Sequence, residues 1–504
     1  MSYNFSKSEL AQHLQNQGST LLFKEISTDV ITPVAAFLKI ESEFPKDIFL
    51  FESAEKGNHK GRFSVIGFMP DQAFKIKDQQ TYINKEFQQN PQNFIKQNGN
   101  AFDNFRQFTN AAKINWDKLN YRSNRLPSIC CGTFGYMSYD MVRLMEDLPN
   151  NNLPDEIQIP DCYFIRPQII IIFDNLFDCA LICAPIFNDA KKDNDFAYNQ
   201  AVSNISLAEK ILQKPLPNHT SNQTVAPFNF TSNYSEEDYC QAVLQVKKYI
   251  TDGDIFQALP SQRFSANFPN NISPFNFYRS LRSINPSPFL FFLKLEDFVL
   301  TGSSPEIMVS LKDKKVTVRP LAGTRKRGKN SDEDAKIAAE LLQDEKEIAE
   351  HLMLIDLGRH DVGRVAKAGT VEVSEKMIIE NYSHVMHISS NVVGILDEQY
   401  DALDALISAF PAGTVSGAPK IRAMEILEEI EKVKRSFYAG CVGYFAGNGD
   451  METCITLRSA LIKNNKIYLQ SGAGVVFDSD PKSEYQECLN KAQALMKAAN
   501  SVKD

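Results

Sequence analysis

Residues 452–500, ETCITLRSALIKNNKIYLQSGAGVVFDSDPKSEYQECLNKAQALMKAAN, decide the fold class. Over 452–462 the apolar Ile455, Leu457 and Leu461 share one face at a period of two, which predicts a strand and puts Arg458 beside Thr456 and Cys454. Residues 466–470 predict a second strand. Asp480 before Pro481 places a capping residue ahead of a first-turn proline, so a helix is expected from there towards Asn500. Two adjacent strands and then a helix do not make a parallel β-α-β unit. Upstream, Ser235 and Asp238 predict a capped helix with Tyr239, Ala242, Val243, Val246 and Ile250 at helical spacing, ended by Gly253. Ile337, Leu341, Ile348, Leu352 and Ile355 predict another helix, and Pro419 opens a third with Ala423, Ile426, Leu427 and Ile430 on one face. Nearer the N-terminus, apolar stretches such as 49–51 and 163–173 are broken by polar turns and read as strand-rich. Strands and helices mix without regular alternation, which favours α+β over a doubly wound sheet.

The clearest seam is 214–233, KPLPNHTSNQTVAPFNFTSN, rich in Pro, Asn, Ser and Thr and following neither apolar period. It reads as a linker between an N-terminal lobe, residues 20–190, and a larger domain, residues 234–500. The 504 residues carry 54 Lys and Arg against 62 Asp and Glu, a formal charge of −8, which argues against a nucleic-acid partner held by a basic face. The longest aliphatic run, 169–173, is far too short to span a bilayer, and the opening MSYNFSKSELAQHL lacks the pattern of a secretory signal. Nine cysteines without a Cys-x-x-Cys pair suggest neither a disulfide framework nor a zinc ribbon. A soluble, unprocessed chain in a reducing cytoplasm, with no membrane partner, is expected.

Several residues invite chemistry, each with a plain alternative. Residues 323–330, GTRKRGKN, imitate a phosphate loop, but Asn330 stands where a magnesium-binding hydroxyl is required, and the residues after it read as polar and loop-like. Glu350 shares a helix side with Met353, Leu354 and Leu357, so it reads as a buried carboxylate needing a partner, either Lys346 one turn earlier or a metal ion. Glu484, Glu487 and Lys491 lie three and four apart on a face distinct from Cys488, Ala492 and Leu495. They could contribute to a magnesium site or form a solvated, paired face. Gly472, Ala473 and Gly474 after a strand could offer backbone N–H groups to an anion. Arg458 could grip a carboxylate in a cavity or make a rim ion pair. His384 and His387, three apart on a strand, point to opposite faces and do not form a paired metal site. No Gly-x-Cys-x-Gly elbow is present, so a glutaminase nucleophile of that kind is absent.

These motifs converge on one resemblance. With LFES (50–53), GRFS (61–64), GTFGYMSYD (132–140), GDIFQALPSQRF (253–264), NPSPF (285–289), GSSPE (302–306), PLAGTR (320–325), EHLMLIDL (350–357), VMH (385–387), PAGTVSGAPKIRAM (411–424) and SGAGVVFDS (471–479), the chain resembles anthranilate synthase component I, among the chorismate-utilising enzymes. The resemblance implies antiparallel sheets in a sandwich with surrounding helices and two interlocked lobes. It implies a carbon–oxygen lyase that makes anthranilate and pyruvate from chorismate and ammonia, with Mg2+ held by Glu350 and Glu487. By the same analogy Gly323, Thr324, Tyr438, Arg458, Lys491 and the backbone of Gly472, Ala473 and Gly474 bind the dianionic substrate, Glu306 is the general acid, and His387 serves the elimination of pyruvate. Isochorismate synthases have Lys where Gln257 stands, and aminodeoxychorismate synthases have Lys where Ala322 stands, so anthranilate is the product expected over aminodeoxychorismate. A separate glutamine amidotransferase subunit is implied as the ammonia source, in a heterotetramer of two copies of each subunit. Glu52, Ser53, Asn285, Pro288, Phe289, Leu290 and Cys454 match the family's tryptophan feedback site, which would act by favouring one arrangement of the lobes.

Overall fold

Two long strands carry the architecture. Phe63–Lys77 and Cys162–Asp174 pair antiparallel along most of their length, and their register slips beside Pro70, which lies opposite Pro167. Proline has no N–H to give a ladder, and a strand interrupted in this way can bend out of one sheet into another. The computed structural model describes residues 3–53, 61–116, 119–122, 124–149, 152–187, 193–217, 227–382 and 385–502. In it the two halves of these strands do belong to different layers. On one side of the slip they pair with Ile48–Glu52 and Cys179–Ile186; on the other, Cys162–Asp174 pairs with Gly132–Met137.

The first sheet continues from Ile48–Glu52 through Phe289–Leu295, Phe298–Ser304, Ser459–Lys463 and Lys466–Gly472 to Ser261–Asn267. The second runs from Gly132–Met137 through Cys441–Ala446, Met451–Ile455, Ile307–Lys312 and Lys315–Val318 to Val385–Ile395, which is flanked by Glu372–Asn381 and Leu321–Lys326. Every one of these pairings is antiparallel. Strands from before and after the 214–233 seam are neighbours in both sheets, so the lobes interlock. Of that seam, 218–226 lie outside the described residues.

Large side chains fill the space between the layers: Phe49 stacks on Phe134 at 4.5 Å between ring centroids, and Tyr136 meets Phe298 edge-on at 5.8 Å. The Phe-rich stretch 289–292 is explained by period two. Phe291 joins this inner core, whereas Phe292 points to the outer face and meets Phe37 and Phe275 at 5.3 and 5.1 Å, from the helices Pro33–Glu43 and Pro274–Ile284. A strand covered on both faces is apolar throughout.

The expected helix starts are in place: Ser235 Oγ accepts the Asp238 N–H at 3.1 Å, and Asp480 accepts the Ser483 N–H at 2.9 Å at the head of Pro481–Asn500. Three local expectations fail. The helix expected through Ile337 and Ile355 is two, Ser331–Leu341 and Glu345–Gly363, because Asp344 caps the second by accepting the N–H groups of Lys346 and Glu347. The loop expected after 323–330 is a helix from Ser331, and the N–H groups of Gly328 and Lys329 are taken by the carboxylates of Asp334 and Glu333. The strand expected over 452–462 is broken between Ile455 and Ser459, where the chain passes from the second sheet to the first. Among the described residues no helix is long and apolar enough to cross a membrane.

Candidate active site

His387 sits on Val385–Ile395 between two cross-strand partners, Thr324 and Glu380. The register shifts between Ala322 and Thr324, and the inserted residue is Gly323 at φ +63°, a bulge built on a left-handed glycine. A side chain there would be strained and would bring its Cβ within 3.1 Å of Ile388 and 3.2 Å of Glu347. The bulge presents Thr324 so that its Oγ1 lies 3.0 Å from His387 Nδ1. Tyr382 packs edge-on against the imidazole at 5.5 Å and donates its hydroxyl to Glu380 Oε2 at 2.8 Å. Burial, reinforced by Arg458 and Lys491, pushes the ring down to about 4 against the opposing pull of Glu380 and of a hydrogen bond with the Gly323 backbone. The imidazole is neutral at ordinary pH. His384 lies outside the described residues.

Glu306 follows Phe298–Ser304 and is 6% exposed. Its Oε1 accepts the Thr414 hydroxyl at 3.0 Å, and the Leu321 backbone N–H also donates to it. Burial outweighs both bonds and raises the carboxyl to about 8, so it carries its proton at neutral pH. Arg458 reaches the same region by a route that strand periodicity did not foresee. It lies in the break between strands, at φ +46°, with its carbonyl accepting the Ser303 N–H at 3.1 Å. Among the described residues no carboxylate forms an ion pair with its guanidinium, and burial lowers its pKa.

Two helices bring carboxylates towards this region. Glu350, on Glu345–Gly363, has a side chain 27% exposed rather than buried, because it faces the opposing helix and not the core. Partial burial, then Glu347, Glu484 and Glu487, push its carboxyl up, against Lys346, whose Nζ is only loosely placed at 4.0 Å. Glu484 is raised too, chiefly by burial. Glu487 pairs with Lys491 at 2.8 Å, and Lys491 Nζ also donates to the Gly472 carbonyl at 3.1 Å. Cys488, next to Glu487, is fully buried and donates its thiol to the Ser471 carbonyl at 3.1 Å, which registers this helix against the strand ending in Gly472. The Gly472 backbone meets the buried Tyr438 hydroxyl, and Gly474 lies beside Gln257, whose Nε2 would be 3.1 Å from a Cβ added there. Glu350, Glu484 and Glu487 are thus carboxylates from two helices that sense one another. Among the described residues no group of three or more Asp, Glu, His or Cys is arranged to hold a metal ion by itself.

The model of the family described as chorismate binding enzyme matches residues 46–497. The chain is 47% identical to anthranilate synthase component 1 of Cereibacter sphaeroides over 97% of its own length and 95% of that protein. It is 40% identical to the enzyme of the same name from Aquifex aeolicus, over 99% and 98%. The chain belongs to the anthranilate synthase component I family of chorismate-binding enzymes. Among solved structures, anthranilate synthase component I from Streptococcus pneumoniae superposes with a TM-score of 0.74 at 32% identity, covering 94% of this chain and 99% of that one. The menaquinone-specific isochorismate synthase of Escherichia coli shares the fold, with a TM-score of 0.69 at 18% identity over 98% and 99%.

A cavity of about 430 Å³ opens between the sheets of this anthranilate synthase component I relative. Glu52, Ser53, Pro288, Phe289, Leu290 and Cys454 all line it. Asn285 does not; it ends the helix Pro274–Ile284 and its carbonyl accepts the Ser303 hydroxyl. The Glu52 carboxylate is held by Arg282 (2.8 and 3.0 Å) and by the Tyr278 hydroxyl (2.5 Å). Gly61 forms part of the wall, where a Cβ would fall 1.9 Å from that of Ser53. A cleft of about 840 Å³, lined by Arg62, Trp116, Lys312 and Tyr400 among others, holds none of the expected site residues.

Sequence reading missed two supports. Thr414 is 108 residues from Glu306 and nothing in its spacing marks it. Arg435 is 2% exposed, paired with Glu431 at 2.7 Å, and donates to the carbonyls of Leu259 and Val415 at 2.6 and 2.7 Å, tying the loop at Leu259 to the short helix Gly413–Ser416 beside Tyr438. Its signal was the spacing from Glu431 to Arg435, just beyond the helix Lys420–Ile430.

Proposed function

We propose that this chain converts chorismate and ammonia into anthranilate and pyruvate. The observation that carries the reading is a pair of opposite protonation roles: a buried carboxyl that keeps its proton, Glu306, and, near Arg458 and Lys491, an imidazole that lacks one, His387. Glu306 would protonate the departing ring hydroxyl as ammonia adds to the ring. His387 would then take the proton from the ring carbon bearing the new amine. The electron pair of that C–H bond becomes the last double bond of the aromatic ring, the neighbouring C–O bond breaks, and the released enolpyruvate takes up a proton to give pyruvate. Arg458 and Lys491, with the backbone of Gly323 and of residues 472–474, would hold the two carboxylates of the substrate, and Thr324 and Tyr438 would complete the pocket.

Glu350 and Glu487, with Glu484 beside them, offer carboxylate oxygens alone, a donor set that suits Mg2+ because that ion takes few protein carboxylates and keeps several waters. Bound there, it supplies a Lewis acid that neutralises a substrate carboxylate. The 430 Å³ cavity supports a feedback site for tryptophan, though Glu52 would serve it as a wall and not as a free charge. Ammonia would come from a glutaminase subunit, as the designation component 1 of the relatives supports, in a heterotetramer. Nine free cysteines support a reducing, cytoplasmic compartment. The test is a product assay with chorismate, ammonium and Mg2+: fluorescent anthranilate is expected. Accumulation of aminodeoxychorismate or isochorismate instead would overturn the reading.

A further inference from the structure

We infer that Thr324 is a positioning residue for His387, and that the Gly323 bulge lets its hydroxyl fix the Nδ1 edge of the imidazole as the protonated one, leaving Nε2 to take the ring proton. The inference deepens the proposed reaction and rests on it. A ladder without the bulge would place Gly323, not Thr324, opposite His387. The extra residue at φ +63° brings a hydroxyl to that place, 3.0 Å from Nδ1. With Nδ1 engaged by the Thr324 hydroxyl, the nitrogen left to take a ring proton is Nε2, and a neutral imidazole whose Nε2 is bare carries its hydrogen on Nδ1, given to Thr324 Oγ1. Tyr382 closes another side edge-on, and its own hydroxyl is committed to Glu380, which Arg319 holds in turn. A ring held in this way can neither flip nor exchange tautomers freely, and a tautomer fixed by a neighbour is how a base presents its lone pair in one direction.

The proton balance is simple. Nε2 gains the proton from the ring carbon, Nδ1 keeps its own, and the imidazolium so formed is stabilised by the Thr324 oxygen at Nδ1 and by Glu380. The lone pair of Nε2 is the only electron pair the protein contributes.

The experiment uses the full chain, with 15N-labelled histidine, and three variants. Two-bond proton–nitrogen spectra report which nitrogen of each neutral imidazole carries hydrogen, and His387→Asn identifies the signal. Nδ1–H with a bare Nε2 is expected in the unaltered chain; the opposite tautomer would overturn the inference. Thr324→Val keeps the shape and removes the oxygen. In single turnovers with ammonium it should slow pyruvate release about tenfold to a hundredfold, so that the aminated intermediate accumulates relative to anthranilate. Thr324→Ser should restore both the spectrum and the product ratio. If Thr324→Val raises KM while ratio and tautomer stay as they were, the hydroxyl serves substrate binding alone and the inference fails. Absence of anthranilate from the unaltered chain would remove the proposed reaction, and the tautomer result would still stand by itself.

Discussion

Replacing Glu306 by Gln separates the acid's chemistry from its cost to the fold. The carboxyl titrates near 4.5 when exposed and at about 8 in its buried site, where Thr414 and the Leu321 N–H only partly offset the loss of water. Between those two values the unfolded chain releases a proton that the native chain retains, so native stability declines as pH rises from about 4.5 and levels off above about 8. At pH 7 that is roughly 2.5 units past the ordinary value at 1.36 kcal/mol each, a penalty of about 3 kcal/mol. Glutamine keeps an oxygen for Thr414 and Leu321 and never ionises. The variant should therefore lack catalysis yet melt about 3 °C higher than the unaltered chain at pH 7, given an unfolding entropy of roughly 1 kcal/mol per kelvin for a chain of this length. At pH 4.5 the two melting temperatures should converge. The assay is differential scanning calorimetry of both proteins across pH 4.5 to 8, beside the anthranilate fluorescence rate. A parallel pH dependence in the two proteins, or substantial activity in the variant, would refute the assignment of Glu306 as a buried, protonated acid.

With free ammonia held constant, kcat/KM should rise as pH passes about 4, where His387 becomes neutral, and fall through about 8, where Glu306 ionises; a flat profile to pH 9.5 would exclude the acid. Glu350→Gln should abolish Mg2+ binding measured by calorimetry, with the melting temperature little changed. Arg435→Met removes one half of a buried ion pair and should cost about 3–5 kcal/mol in urea unfolding, since Glu431 is left charged in the core. Ser53→Phe fills the 430 Å³ cavity from its wall, so tryptophan binding measured by titration calorimetry should be lost while ammonium-dependent turnover remains.

Local pattern determined much of this protein. Caps at Ser235 and Asp480, the stop at Gly253, the α+β mixture and the buried face of Cys488, Ala492 and Leu495 all follow from rules acting within a few residues, where neighbours in sequence are neighbours in space. The ordered motif blocks went further and indicated the family, because a site assembled from many segments leaves a trace in each.

What the pattern misjudged depended on distant chain. Periodicity carried a strand straight through Arg458, because nothing local reveals that residues 451–455 and 459–463 belong to different sheets. It buried Glu350, because a helix face that is apolar in one dimension can open onto another helix in three. Above all, only the tertiary structure decided the protonation of Glu306 and His387. Each state comes from how much water the packed sheets exclude and which groups they bring near, and surroundings built from distant parts of the chain have no signature in the order of the amino acids.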